Sequence, residues 1–378
     1  MNKKSFKEKK EKIFASLVLG SYLDTLGFFN GVWEFNYNMH VKTLQDALLI
    51  NYEIIHKFFS MGGFSMNISH WNASDDTIMI IATMKACKKG GKLKDFIQCY
   101  IDILPQLEEK KRASGITTLN SLRILKKNPD INKISYSSTM GGNGAAMRTH
   151  YIGIYFDSID KIIEISILSS RLTHNHPVGF LGGMVTALFT HYALQDIEPW
   201  KWCDMLLKLN EDGTIDKIVS KMPTPNFNKY MKDKEEFWNI WYKYKEFRLN
   251  KFELKGKEFS FGSERFLDLL KICYDIKNFD NIPYDRMGGS GATATIIAYD
   301  SILMSIINKD EGEARVDLSD NNYYYNWESM VFHSTLHFGD NDTIGTIAGC
   351  WYGALRGFDN FNKDTIEQLE FIDELKKY

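Results

Sequence analysis

Two acidic clusters, Ser74-Asp75-Asp76-Thr77 and Asp340-Asn341-Asp342-Thr343, lie near opposite ends of this chain, and each leads into an apolar run with helical spacing. Four carboxylates together with the hydroxyls of Ser74 and Thr343 make a set of hard oxygen donors of the kind Mg²⁺ prefers. Either cluster alone reads more readily as a helix cap than as a ligand set, because Asp, Ser and Thr accept hydrogen bonds from the free N–H groups of a first turn. Brought together, four carboxylates repel one another unless a cation is present. Their spacing in sequence leaves open whether they meet.

Three further segments bear on the chemistry. In Met140-Gly141-Gly142-Asn143-Gly144-Ala145-Ala146-Met147-Arg148 a glycine-rich turn leads into a run of small residues. Such a turn can present backbone N–H groups to a phosphate, although many glycine turns only reverse the chain. Leu172-Thr173-His174-Asn175-His176-Pro177 holds two histidines two residues apart, with no Cys or further His at ligand spacing, which disfavours a zinc site. One histidine touching a ligand or bonding a backbone carbonyl is the better reading. In Leu26-Gly27-Phe28-Phe29-Asn30-Gly31-Val32-Trp33-Glu34-Phe35 an acid stands among aromatics. Glu34 is either an exposed loop residue or, beside a metal and a sugar, a partly desolvated carboxylate suited to acid–base work.

Helical periodicity dominates the elements that must position these residues. Ile344, Ile347, Ala348, Trp351, Tyr352 and Leu355 form one apolar stripe, and Gly345, Gly349 and Gly353 recur every four residues beside it, which predicts close helix–helix contact. Leu181, Met184, Val185, Leu188 and Phe189 repeat the spacing, and a long apolar helix is expected over Ile296–Ile307. Ile162–Leu168 fits a buried helix better than a strand, and convincing period-2 strands are absent. The expected fold is all-α, in a single domain over residues 1–378. A more irregular insertion is expected at about 210–260, where Pro223 and Pro225 mark a loop. Within it Trp238, Trp241 and Tyr242 share one helical face, so the lysines around them read as a solvated rim and not as a nucleic-acid surface.

Composition narrows the function. With Lys+Arg 46 against Asp+Glu 48, the formal net charge of −2 offers no general attraction to nucleic acid or an acidic membrane. The five scattered cysteines read as reduced core thiols of a cytoplasmic protein. The Lys-rich start and the apolar run Ile13–Leu19 imitate a signal peptide, but Ile13, Phe14, Leu17 and Val18 have amphipathic spacing and Asp24 interrupts the run. No stretch elsewhere is expected to reach the roughly 18 apolar residues of a membrane span. A monomer is expected.

Taken in order, the L-G-F-F-N-G-V-W-E-F segment, S-D-D-T, G-N-G-A-A-M-R, L-T-H-N-H-P-V-G-F-L-G, I-I-A-Y-D and F-G-D-N-D-T-I-G-T-I-A-G-C-W-Y-G resemble the ADP-ribosylglycohydrolase family over nearly the whole chain, and within it the ADP-ribosylarginine hydrolases. The resemblance implies a compact orthogonal helical bundle with two Mg²⁺ ions in a central cleft, held by Ser74, Asp75, Asp76, Asp340, Asp342 and Thr343 and gripping the distal ribose of ADP-ribose. It implies catalytic roles for Glu34, Asp75 and Asp76, and a substrate pocket lined by Gly142, Asn143, Gly144, Ala145, His174, Ser290 and Gly291. The implied reaction is hydrolysis of the N-glycosidic bond joining ADP-ribose to arginine side chains of modified proteins. Two departures stand out. Leu23-Asp24-Thr25-Leu26-Gly27 replaces the usual G-D-A-L-G but keeps the acid, and Ser290-Gly291-Ala292-Thr293-Ala294-Thr295 replaces the S-G-H-D-A-P of arginine-specific relatives. The second keeps two alternatives open, hydrolysis of an O-linked ADP-ribose on serine or an O-acyl ester, and a non-catalytic ADP-ribose-binding module.

Overall fold

The structure is a computed structural model that describes residues 3–34, 43–222, 227–250, 262–274, 287–309 and 323–378. Seven helices position the site: α1 (Lys3–Phe28), α2 (Asp75–Lys89), α3 (Ile159–Arg171), α4 (Pro177–Leu194), α5 (Phe227–Tyr244), α6 (Gly291–Met304) and α7 (Asn341–Arg356). The Ile-rich segment is helical, as its neighbours predict, and forms most of α3.

The contact between α1 and α7 is set by glycine. A methyl group built at Gly349 would stand 2.5 Å from the Leu19 carbonyl oxygen, and one at Gly353 the same distance from that of Ala15. One at Gly27 would stand 2.5 Å from the carbonyl of Asn341. Backbones therefore approach where side chains would ordinarily intervene, and Ser16 Oγ adds a hydrogen bond of 2.8 Å to the Cys350 carbonyl across the interface. The glycine row predicted from sequence is this interface.

Behind it, α4 runs through the centre with all of its residues buried. Phe189 on α4 packs against Trp202, Trp241, Tyr299 and Trp351 with ring centroids 5.2–5.7 Å apart. By length and composition Lys7–Gly31 and Pro177–Leu194 are both long and apolar enough to cross a membrane, and the second corrects the expectation that no stretch beyond the N-terminal run reaches that length. Their apolar surface is spent inside the fold, since 78% of the first window and 100% of the second are buried. All five cysteines are buried, and none forms a disulfide.

One further expectation is corrected. The apolar helix expected over Ile296–Ile307 ends at Met304, and Ile306–Asn308 (β1) pairs antiparallel with Tyr323–Tyr325 (β2), Ile306 facing Tyr325. β-Branched Ile306 and Ile307 suit an extended backbone once a partner strand satisfies their amides. Within the segment at about 210–260, the helix expected around Trp238 and Trp241 is present: the chain is helical over Thr214–Val219 and from Phe227 through a π-helical turn ending at Leu249, and residues 251–260 lie outside the described residues. Burial of Trp238, Trp241 and Tyr244 on one face drives that helix. The loop at Pro223 and Pro225 lies outside the described residues.

An ionic cluster ties this segment to α6. Asp300 accepts from Tyr244 Oη at 2.8 Å and from Arg265 Nε at 2.5 Å, and it is also paired with Arg248 Nε. Burial alone would raise the Asp300 pKa, but the two guanidinium charges win and hold it at about 2.

Two outcomes follow from this packing. Gly349→Val should destabilise the protein by about 1–3 kcal/mol through overpacking against α1, read as a lower denaturant midpoint at unchanged m-value. His150 is fully buried, neither ring nitrogen has a hydrogen-bond partner among the described residues, and burial lowers its pKa from 6.5 to about 3. Between those values the unfolded chain binds a proton there that the folded one refuses, so His150 costs stability as pH falls below about 6.5. His150→Leu should therefore lose less Tm between pH 7 and pH 4.5 than the wild type, and an equal loss would place the titration elsewhere.

Candidate active site

The carboxylates sit where three helix ends meet. Ser74 caps α2, its Oγ accepting from Asp76 N at 3.1 Å, and Asp75 and Asp76 form the first turn. Asp340 caps α7, its carboxylate accepting from Thr343 N at 3.2 Å. Thr343 N also donates to Asp342 at 2.9 Å. Both clusters thus do perform the capping that each would perform alone. The close α1–α7 contact then brings the C-terminal end of α1 alongside both helix starts, with Asp24 and, just beyond, Glu34.

The electrostatics record that convergence. Burial first, and then the charge of Asp24, lift Asp75 to about 7 against the N–H groups of Gly115 and Asp75 itself. Burial and the charges of Asp24, Asp75, Asp340 and Glu34 hold Asp76 well above the usual carboxylate range. Asp342 is likewise raised, by burial and then by Glu34, Asp340 and Asp76, and its carboxyl shares a hydrogen bond with Asp340. Six buried acids opposing one another in this way are held by protons or by a cation.

The donor chemistry fits a hard divalent cation. Ser74, Asp75, Asp76, Asp340, Asp342 and Thr343 supply only oxygen, all are buried, and Asp76 Oδ2 has no hydrogen-bond partner among the described residues. As the side chains stand, however, no three His, Cys, Asp or Glu among the described residues converge on a single ion position. Asp340 is turned toward Asn143, whose Nδ2 donates to its Oδ2 at 2.6 Å and to the Gly288 carbonyl at 3.0 Å.

Opposite the acids lies the glycine turn. Gly142 pairs with Ser290 in an isolated antiparallel bridge, and Gly291 N donates to the Gly141 carbonyl at 3.1 Å. Residues 142–145 and 290–291 are therefore one surface. His174 packs beneath it, where a methyl group on Gly144 would stand 2.7 Å from His174 Cε1. Its Nδ1 bonds the Thr173 hydroxyl at 2.8 Å, and burial, helped by the Arg148 charge, lowers its pKa to about 3, so the ring is neutral at pH 7. His176 stands apart from His174, caps α4, and lies 3.9 Å from Asp233. At the departure noted in sequence, Thr293 completes a capping box with Ser290, its N donating to Ser290 Oγ at 3.1 Å and its Oγ1 accepting from Ser290 N at 3.2 Å. An Asp at this position could serve the same cap.

Three contributors were missed in the sequence. Asp24 accepts from Ser74 N and Thr77 N, each at 3.1 Å, and from the Thr77 hydroxyl, which fixes the start of α2. The retained acid of Leu23-Asp24-Thr25-Leu26-Gly27 was the available signal. Arg148, the last residue of the glycine segment, is buried and bonds the Gly144 carbonyl and Thr173 Oγ1, the latter at 2.7 Å. The loop ending at Gly115, which gives its N–H to Asp75, carried no motif at all.

The chain is similar in sequence and fold to other proteins. An ADP-ribosylglycohydrolase family model matches residues 7–378. ADP-ribosylhydrolase ARH1 of Dictyostelium discoideum is 31% identical over 96% of this chain and 91% of its own length. ADP-ribosylhydrolase ARH3 of Xenopus tropicalis is 40% identical over a shorter stretch, 20% of this chain and 22% of its own. A solved structure described as an ADP-ribosylglycohydrolase-related protein complex superposes with a TM-score of 0.56 at 14% identity, over 98% of this chain and 96% of that one, and shows the fold. With its acid-lined convergence of helix ends facing a glycine turn, this all-α chain belongs to the ADP-ribosylglycohydrolase family of hydrolases.

Proposed function

We propose that this hydrolase removes ADP-ribose from arginine side chains of modified proteins, with Mg²⁺ bound at the acidic clusters. The observation that carries the reading is the meeting of Glu34 with both clusters in one buried site, where Glu34 bears on both Asp76 and Asp342. The L-T-H-N-H-P and G-A-A-M-R segments favour the arginine linkage.

Ser74, Asp75, Asp76, Asp340, Asp342 and Thr343 would hold the metal, two ions by the family resemblance. The chemistry supplied by such an ion is fixation of the ribose diol and acidification of a bound water. Gly142, Asn143, Gly144 and Ala145, with Ser290 and Gly291 across the bridge, would line the diphosphate and ribose. His174, neutral and packed under Gly144, keeps that turn in place without adding charge. Cleavage of the C1–N bond sends its electron pair to the guanidine nitrogen and builds positive charge on the ribose, which the surrounding carboxylates stabilise. The substituted guanidinium is already protonated at neutral pH, so it departs as a neutral guanidine without a dedicated acid. Glu34 takes the proton of the attacking water and passes it to that guanidine, which restores charged arginine and free carboxylate.

The second reading is hydrolysis of an O-linked ADP-ribose. It is favoured by the Ala292-Thr293 corner, which lacks the His and Asp of the arginine-specific pattern.

Purified protein incubated with arginine- and serine-ADP-ribosylated peptides, each with Mg²⁺ and with chelator, separates the readings by chromatography of released ADP-ribose. Release from the arginine peptide alone, abolished by chelator, is expected. Release from the serine peptide alone transfers the assignment, and binding of ADP-ribose with release from neither makes the chain a non-catalytic module. Glu34→Gln should lower turnover by at least about 10²-fold while ADP-ribose affinity, measured by calorimetry, stays within a few-fold; unchanged turnover removes Glu34 from the mechanism.

A further inference from the structure

The residue immediately before the first acidic cluster is held from outside its own helix. Arg112 and Glu370 form a bidentate pair, Nη1 to Oε2 at 2.6 Å and Nη2 to Oε1 at 2.7 Å. Both groups also grip the backbone of Ala73. Its carbonyl accepts from Arg112 Nη1 at 2.8 Å, and its N–H donates to Glu370 Oε2 at 3.0 Å. The Arg112 side chain is only 3% exposed and lies over the Phe371 ring at 5.3 Å. Two residues earlier in the C-terminal segment, Gln368 Oε1 accepts from Ile68 N at 2.9 Å. The chain entering α2 is thus pinned to the far end of the sequence at Ile68 and Ala73, and then to Asp24 at Ser74.

From these contacts we infer that Arg112 and Glu370 are a positioning pair for the metal-binding acids, which makes the C-terminal segment a working part of the site. The inference rests on the metal reading proposed above. Asp75 and Asp76 occupy the first turn of α2, so the direction of their carboxylates follows the Ala73–Ser74 peptide that starts the helix. Arg112 acts a second time through its own loop. Ala113 turns that loop through a left-handed conformation at φ 51°, and Gly115 then gives its N–H to the Asp75 carboxylate. One buried guanidinium therefore fixes both the backbone before the cluster and a donor to its first acid. Outer groups that orient ligands in this way change metal affinity when removed, even though they never touch the ion.

The test is calorimetric titration of Mg²⁺ into the full-length wild type, E370A, E370Q and R112K, with kcat and KM on the peptide hydrolysed by the wild type. E370A removes the acceptor for Ala73 N–H and should weaken Mg²⁺ binding on the order of tenfold, with kcat falling more than KM rises. E370Q keeps an oxygen acceptor and should recover most of the affinity. R112K keeps the charge but cannot make the bidentate pair and the Ala73 contact together; it should weaken Mg²⁺ binding several-fold even if E370A does not fold. Lower Tm in E370A and R112K with wild-type Mg²⁺ affinity would show a purely structural role and overturn the inference. Absence of Mg²⁺ binding by the wild type would instead overturn the metal reading on which the inference depends.

Discussion

Backbone contact between the first and last long helices is the constraint on which the rest of this structure depends. With Gly27, Gly345, Gly349 and Gly353 on the shared surface, Lys3–Phe28 and Asn341–Arg356 approach closely enough for carbonyl groups to take the place of side chains. Helices that pack on ordinary side chains lie about 8–10 Å apart, so removing the side chains shortens the span between the ends. Asp24 and Glu34 at one end and Asp340 and Asp342 at the other consequently share one volume, together with the start of the Asp75 helix.

That volume stores electrostatic opposition. Asp24, Asp75, Asp76, Asp340 and Asp342 each have a raised pKa with burial as the first cause, and for Asp75, Asp76 and Asp342 the neighbouring acids come next. Hydrogen bonds from Ser74, Thr77, Asn143 and Thr343 offset part of the repulsion. The same residues that cap helices are those that gather the charge, so local stability and site chemistry use one set of side chains. By contrast, Asp300, a further buried acid, faces two guanidinium groups and is held at about 2, which marks it as a structural anchor between the Gly291 helix and the segment carrying Tyr244 and Arg248.

The opposite wall is built by close approach as well. Gly142 bridges to Ser290, Gly144 lies on the His174 ring, and a side chain at Gly182 would collide with the Gly291 carbonyl 2.5 Å away. Arg148 sits behind this wall, bonded to Gly144 and Thr173, while Arg112 sits behind the acidic wall, bonded to Ala73 and Glu370. Each wall thus has a buried arginine that organises backbone carbonyls from behind.

By itself the sequence determined the local chemistry and most of the helices. Periodicity identified the apolar stripe of Asn341–Arg356 and its glycine row, the buried helix over Ile162–Leu168, and the two acidic clusters at helix starts, because each of these is written in residues within a turn or two of one another. Where distant partners intervene, local pattern misled. Ile306 and Ile307 leave their helix for a strand because Tyr324 and Tyr325 offer backbone partners. Tertiary structure alone decided that Asp24 lies against Ser74 and Thr77, that Asn143 reaches Asp340, and that Glu370 reaches back to Ala73, contacts separated by 50, 197 and 297 positions. Contacts of that separation depend on how whole helices pack, and helix packing is fixed by the sum of many buried surfaces, which no local run of residues encodes.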